Sequence, residues 1–224
     1  MSRDAVLANL RKGLAGGKPD EERRRTVAAR LRVAPRNLVP ARGHRPHEGQ
    51  VQLFEEMATK VDATVERLSE PQAVPEAVAA YLRSNNYPQH LVFGEDAWLG
   101  DLPWDGLPNL ETKRGRADGS ELAGLSRAFA GVAESGTLVL ASGPDNPTSI
   151  NFLPEAHVVV LREGDIVGDY ETMWDRLREA QGRRSMPRTV NFVTGPSRSA
   201  DIEQTLLLGA HGPRKLHILI VAGD

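Results

Sequence analysis

Short apolar runs that do not alternate with polar residues constrain this chain most. "LAGLS", "TLVLAS", "HVVVLRE", "TVNFVTG" and "KLHILIVAG" fall in the second half, and "HLVFG" precedes them. A strand with one wet face alternates, whereas a continuous run is covered on both faces. Segments with helical spacing lie between and before these runs. "EGQVQLFEEMATKV" places Val51, Phe54, Met57, Ala58 and Val61 on one stripe. "PEAVAAYLRSNN" opens on Pro75, a residue suited to a first helical turn. "RAFAGVAE", "PTSINFL", "YETMWDRLREAQ" and "ADIEQTLLLG" also read as helices. "ATVERL" continues a helix or forms a short strand. This alternation predicts an α/β domain of three layers, with a mostly parallel sheet and right-handed crossovers. Residues 95–120 are rich in turn formers and read as irregular. Trp98 and Trp104 there either pack the loop down or cover a pocket.

Charge is placed unevenly. Residues 1–46 hold 12 Lys/Arg against 4 Asp/Glu, and the remainder holds 16 against 26. A short helix from Arg3 to Leu14, a Gly/Lys/Pro break, and then Pro35, Pro40 and Pro46 describe a helical, basic N-terminal arm. It precedes an α/β domain at 47–224 and lies over it or reaches for a partner. The arm has no aromatic residue on which a base could stack, so nucleic acid is not an expected partner. The chain has no cysteine. That excludes disulfides, thiolate metal sites and cysteine-ligated iron–sulfur clusters within it. No run approaches the roughly 18 apolar residues of a membrane span, and "MSRDAVLANLRKGL" lacks a signal-peptide core. A cytoplasmic protein is expected. The six histidines form no H-E-x-x-H, so no metal site is expected. His217 reads as a strand residue with a satisfied hydrogen bond and His211 as a loop residue.

Two turns carry the candidate chemistry. "TVNFVTG" ends at Gly195, so "GPSRS" is expected at the carboxyl end of a sheet strand, where open α/β sheets bind ligands. Ser199 reads as the N-cap and Gly209 as the C-cap of a helix between them. Asp201 and Glu203 then fall in its first turn, where they stabilise the helix dipole or line a site. Two carboxylates there, only partly offset by Arg198, disfavour a phosphate. They favour ligand hydroxyls, an amine, or a protein Arg or Lys. The second turn, "VAESGT", carries Glu134 as a carboxylate nucleophile or base, or as a plain helix-terminal residue. Phosphate-loop, dinucleotide and nucleophile-elbow motifs are absent. Ser197, Asp201 and His211 do not make a hydrolase order.

Three segments together carry a family resemblance. E-[ST]-G-T is met by Glu134, Ser135, Gly136 and Thr137. G-P-S-x-[ST]-A-D-I-E is met by Gly195, Pro196, Ser197, Ser199, Ala200, Asp201, Ile202 and Glu203, and G-x-H-G-P by Gly209, His211, Gly212 and Pro213. The chain resembles the lactate utilization protein C family of the LUD-domain group, most closely from about Gly131 onward. The resemblance implies a Rossmann-like fold of the NagB/RpiA/CoA-transferase type. It also implies action with companion proteins, at least one carrying iron–sulfur clusters, in oxidising L-lactate to pyruvate. No cofactor is expected in this chain, and a small organic acid is an expected ligand. The resemblance assigns no catalytic residues. Glu134, Asp201 and Glu203 are therefore the catalytic candidates on their chemistry alone. Ser135, Gly136, Thr137, Gly195, Ser197, Arg198, Ser199, His211 and Gly212 are the ligand-binding candidates, with Arg198 a possible carboxylate clamp. Two other readings stay open: a stand-alone CoA-transferase-like or sugar-phosphate-isomerase-like enzyme, and a non-catalytic assembly or regulatory protein docked through its arm.

Overall fold

A computed structural model describes residues 2–14, 21–33, 35–182, 185–200, 206–209 and 211–223. The chain divides into two compact units, Met1–Leu38 and Val39–Asp224. The first contains helices α1 (Arg3–Leu14) and α2 (Glu21–Val33). No residue of α2 is buried, and Arg25 pairs with Glu21 one turn away at 2.7 Å.

The second unit begins with a short 3-10 turn at Ala41–Gly43. It continues through α3 (His47–Lys60), β1 (Thr64–Leu68), α4 (Val74–Ser84), β2 (His90–Phe93), α5 (Ala97–Gly100), β3 (Glu111–Arg114), β4 (Ala123–Arg127), β5 (Ala130–Val132) and β6 (Thr137–Ala141). Then follow α6 (Thr148–Phe152), β7 (Ala156–Arg162), β8 (Ile166–Val167), α7 (Tyr170–Gln181), β9 (Val190–Val193), β10 (Arg198–Ala200), β11 (Leu206–Leu208) and β12 (Lys215–Val221). Six strands form the main sheet in the order β1-β12-β7-β4-β2-β3, and every pairing in it is parallel.

The continuous apolar runs are explained by what covers each face. Along β7, Val158 and Val160 join one core with Leu219 and Val221 of β12 and with Val78, Leu82 and Leu99 of α4 and α5. The alternate residues Val159 and Leu161 join Ile218 and Ile220 in a second core. That core is closed by Val51, Phe54 and Ala58 of α3 and by Leu138 and Leu140 of β6. β6 belongs to a second, mixed sheet in the order β8-β5-β6-β9. Its far face carries Val139 and Val132 against Met173 and Leu177 of α7. The inner strands of both sheets are thus covered on both sides, giving the α/β layering expected from the sequence. Helix starts follow local chemistry. Asp96 accepts from Leu99 N at 3.0 Å ahead of α5, and Asp169 accepts from Thr172 N at 2.8 Å ahead of α7.

Three expectations are corrected. "RAFAGVAE" is not a helix: it closes β4 and forms β5. A side chain at Gly131 would strike Leu161 and Phe54, so close packing of the sheet sets this segment. "ADIEQTLLLG" is not a helix in its described residues. Arg198–Ala200 and Leu206–Leu208 pair antiparallel, with Ser199 opposite Leu207. A leucine run suits a strand as readily as a helix face, and Ser199 is therefore not an N-cap. Gly209 does adopt a left-handed φ of 81°, but it follows a strand. Asp201 and Glu203 lie outside the described residues. Finally, β9 is not in the parallel sheet, so its turn is not at that sheet's carboxyl edge. Trp104 packs its loop, donating from Nε1 to Leu99 O at 2.7 Å and stacking on Phe93. Among the described residues no helix is long and apolar enough to cross a membrane.

Candidate functional site

The three motif segments meet at one end of the second sheet. β5 and β6 are antiparallel with Val132 opposite Thr137, so residues 133–136 form the turn between them. β6 also pairs antiparallel with β9, with Leu138 opposite Val193. That register sets Thr137 beside Thr194, and their hydroxyls lie 2.8 Å apart. Both turns then rest on the end of α3 through glycines. Gly136 has φ 64°, and a Cβ there would sit 2.3 Å from Ala58 N. Gly195 has φ 75°, and a Cβ there would sit 2.3 Å from Val61 O. The third segment clasps the second: Ser197 N donates to Pro213 O at 2.8 Å, and Gly209 N donates to Ser197 O at 3.0 Å.

A closed hydroxyl cluster joins these turns to α7. The Ser135, Thr137 and Tyr170 hydroxyls are mutually within 2.7 to 2.9 Å. Glu134 is buried beside them, and its Oε1 accepts from Tyr170 N at 3.2 Å. A carboxylate on the first N–H of α7 is favoured by the helix dipole. Glu134 Oε2 is enclosed without a hydrogen-bond partner among the described residues. Thr137→Val keeps the shape but leaves three hydroxyls short of a partner, and is expected to cost about 1–3 kcal/mol in a urea melt. An unchanged midpoint would show that the cluster contributes nothing.

Arg198 points elsewhere. Its guanidinium pairs with Asp62, and both line a groove with Arg214, Lys215 and the His217 ring. His217 stacks on Tyr81 with centroids 4.2 Å apart, and its Nδ1 lies 2.8 Å from Thr64 Oγ1. Burial lowers its pKa to about 4, against a smaller raising effect of the hydrogen bond at Thr64. Ser199 is in β10. His211 is exposed, beside Gly212.

Next to this groove lies a compact cleft of about 190 Å³, walled by Phe152, Thr194, Ser197, His211 and Gly212. Its lining includes two buried polar residues that carried no motif signal, Asn151 and His157, and a third, Ser126, is bonded to both. His157 opens β7 on the face turned to the second sheet, and Asn151 lies in α6; both line the cleft and are 1% exposed. Ser126 of β4 joins them. Its Oγ donates to Asn151 Oδ1 at 3.1 Å and lies 3.0 Å from His157 Nε2. Burial pushes the His157 pKa down to about 3. The only sequence signal for these residues was polarity inside otherwise apolar runs. The cleft adjoins the start of β7 and β12, not their carboxyl ends. A wider opening of about 680 Å³ lies past the carboxyl ends of β2, β3 and β6, lined by Glu95, Arg116, Ser142 and Arg188. Among the described residues no group of three His, Asp or Glu stands together as a metal site.

Comparison with known proteins places this arrangement. The LUD domain profile matches residues 109–221. Lactate utilization protein C of Halalkalibacterium halodurans is 31% identical over 184 residues, covering 76% of this chain and 78% of that protein. The protein of that name from Shouchella clausii is 32% identical over 53% of this chain and 51% of its own length. The one from Bacillus subtilis is 34% identical over 54% of each. The chain thus spans about half the length of most of the curated relatives it matches. A solved structure of a DUF162 family protein from Deinococcus radiodurans superposes with a TM-score of 0.56 at 21% identity, over 80% of this chain and 99% of that one. That likeness concerns the fold. With the profile spanning half the chain and a relative matched over most of its length, the chain belongs to the LUD-domain, lactate utilization protein C family.

Proposed function

We propose that this chain is a subunit of a lactate-utilization system and supports oxidation of L-lactate to pyruvate with companion proteins that carry iron–sulfur clusters. The observation behind this reading is that the second and third motif segments line one small cleft and the first is joined to them through the Thr137–Thr194 hydroxyl contact, in a chain whose relatives bear the lactate utilization name. Oxidation removes an electron pair and two protons from lactate. The chain has no thiolate to ligate a cluster, so the electrons are assigned to clusters on the companions. Its own part is to hold the organic acid and complete the assembly. A CoA-transferase reading needs Glu134 open to attack a thioester. Glu134 is instead 3% exposed, and its carboxylate accepts from the first N–H of α7, which favours the subunit reading. Asp201 and Glu203 are assigned to orient ligand hydroxyls or a cationic side chain, whereas Arg198, paired with Asp62 in the neighbouring groove, is not assigned to the acid.

The test is lactate-dependent dye reduction by the companion proteins, with and without this chain. Reduction is expected to require it, and equal reduction in its absence overturns the proposal. Glu134→Gln keeps an acceptor for Tyr170 N and is expected to leave the rate nearly intact. A loss on the order of 10²–10⁴-fold at unchanged stability would instead make Glu134 an acid or base.

A further inference from the structure

The cleft floor holds two buried polar atoms, His157 Nδ1 and Asn151 Nδ2, without partners among the described residues. The Ser126 contacts fix what each offers. Asn151 Oδ1 can only accept, so the single Ser126 hydroxyl proton points to it. Ser126 Oγ is then left as an acceptor toward His157 Nε2, which must carry the ring proton. A neutral imidazole with Nε2–H has a bare lone pair on Nδ1. The two residues lining this floor therefore offer one acceptor, His157 Nδ1, and one donor amide, Asn151 Nδ2. Leaving both unmet is costly in a buried site, and such groups ordinarily meet water or a ligand.

We propose that this floor is a recognition site for a small α-hydroxy carboxylate, whose hydroxyl donates to His157 Nδ1 and whose carboxylate accepts from Asn151 Nδ2. An α-hydroxy acid carries one hydroxyl donor and one carboxylate acceptor in a small molecule, which matches one acceptor and one donor in a small cleft. The size agrees: about 190 Å³ is below the roughly 300 Å³ at which drug-sized pockets begin. Thr194 and Ser197 supply hydroxyls at the wall, and His211 stands at the mouth. The buried His157 imidazole is a weak base, so it holds the substrate hydroxyl and does not remove its proton. His157 and Asn151 are binding residues, and Ser126 is a positioning residue that sets the tautomer. This inference rests on the lactate reading above and names the atoms that read the acid.

The experiment follows the ¹⁵N resonance of His157 Nδ1 in the full chain labelled at histidine, during titration with L-lactate and, separately, with propionate. L-Lactate is expected to shift Nδ1 saturably toward the hydrogen-bonded position, and propionate, which lacks the hydroxyl, is expected not to. Asn151→Ala is expected to weaken L-lactate binding about tenfold; because it also frees the Ser126 hydroxyl proton, affinity and not the resting His157 resonance is the readout for this variant. Ser126→Ala is expected to let the imidazole proton exchange between ring nitrogens, a spectroscopic change that a merely structural role would not give. No Nδ1 response at saturating lactate, an equal response to propionate, or unchanged affinity in Asn151→Ala each overturns the proposal. If dye reduction requires the chain but Nδ1 is silent, the recognition site falls and the subunit reading stands. If Nδ1 responds but dye reduction ignores the chain, the reverse holds.

Discussion

Gly136→Ala is expected to lower the thermal midpoint by roughly 6–12 °C, the equivalent of about 3 kcal/mol in a chain of this size. Two costs combine. A φ of 64° is left-handed, where a Cβ meets its own backbone. The added methyl would also lie 2.3 Å from Ala58 N and 2.6 Å from Met57 C, which are main-chain atoms of α3 and cannot swing aside. Relief requires the 133–136 turn to lift off α3. That lift pulls Thr137 from Thr194 and opens the join between the first two motif segments. Gly106→Ala is the control: nothing lies within 4 Å of its Cβ position, and the midpoint should hardly move. Equal midpoints for the two variants would show that the turn is not clamped as described.

The same clamp shows how much the sequence revealed. The α7 span was legible because its signals are local: an amphipathic segment, with Asp169 before it and Gly182 after it. β7 and β12 were legible because a run buried on both faces has no polar alternation. The sheet to which each run belongs was not legible. β6 and β9 are as apolar as β7, yet they pair with each other across 57 residues, from Thr137 to Thr194, and periodicity does not record a partner. For that reason the three motif segments could be found but their meeting point could not. Leu206–Leu208 misled for a related reason, since three leucines fit a helix face or a strand and tertiary pairing decides. His157 was hidden inside "HVVVLRE". Its position on the inward face of β7, opposite Gly124 where a larger residue would strike Ile150 and Pro154, exists only in the assembled sheet.

Acid is expected to unfold this protein through its buried histidines before its carboxylates titrate fully. Burial holds His157 near a pKa of about 3 and His217 near about 4 in the native state, against an unfolded value near 6.5. Below about pH 6.5 the unfolded chain binds a proton on each ring that the native chain refuses, so stability falls as pH falls. Each ring contributes about 1.4 kcal/mol per pH unit, so the two together give roughly 2.7 kcal/mol per unit until the native His217 protonates near pH 4. His157 alone continues the loss to about pH 3. Across pH 6 to 4 that amounts to roughly 5 kcal/mol, comparable to the whole stability of many domains. Urea midpoints measured at half-unit steps should show this slope in the native sequence and about half of it in His157→Gln. Because the comparison is between slopes, it survives a general destabilisation by the substitution. A native slope near zero between pH 6.5 and 4.5 would mean that the His157 and His217 rings reach water in the folded state.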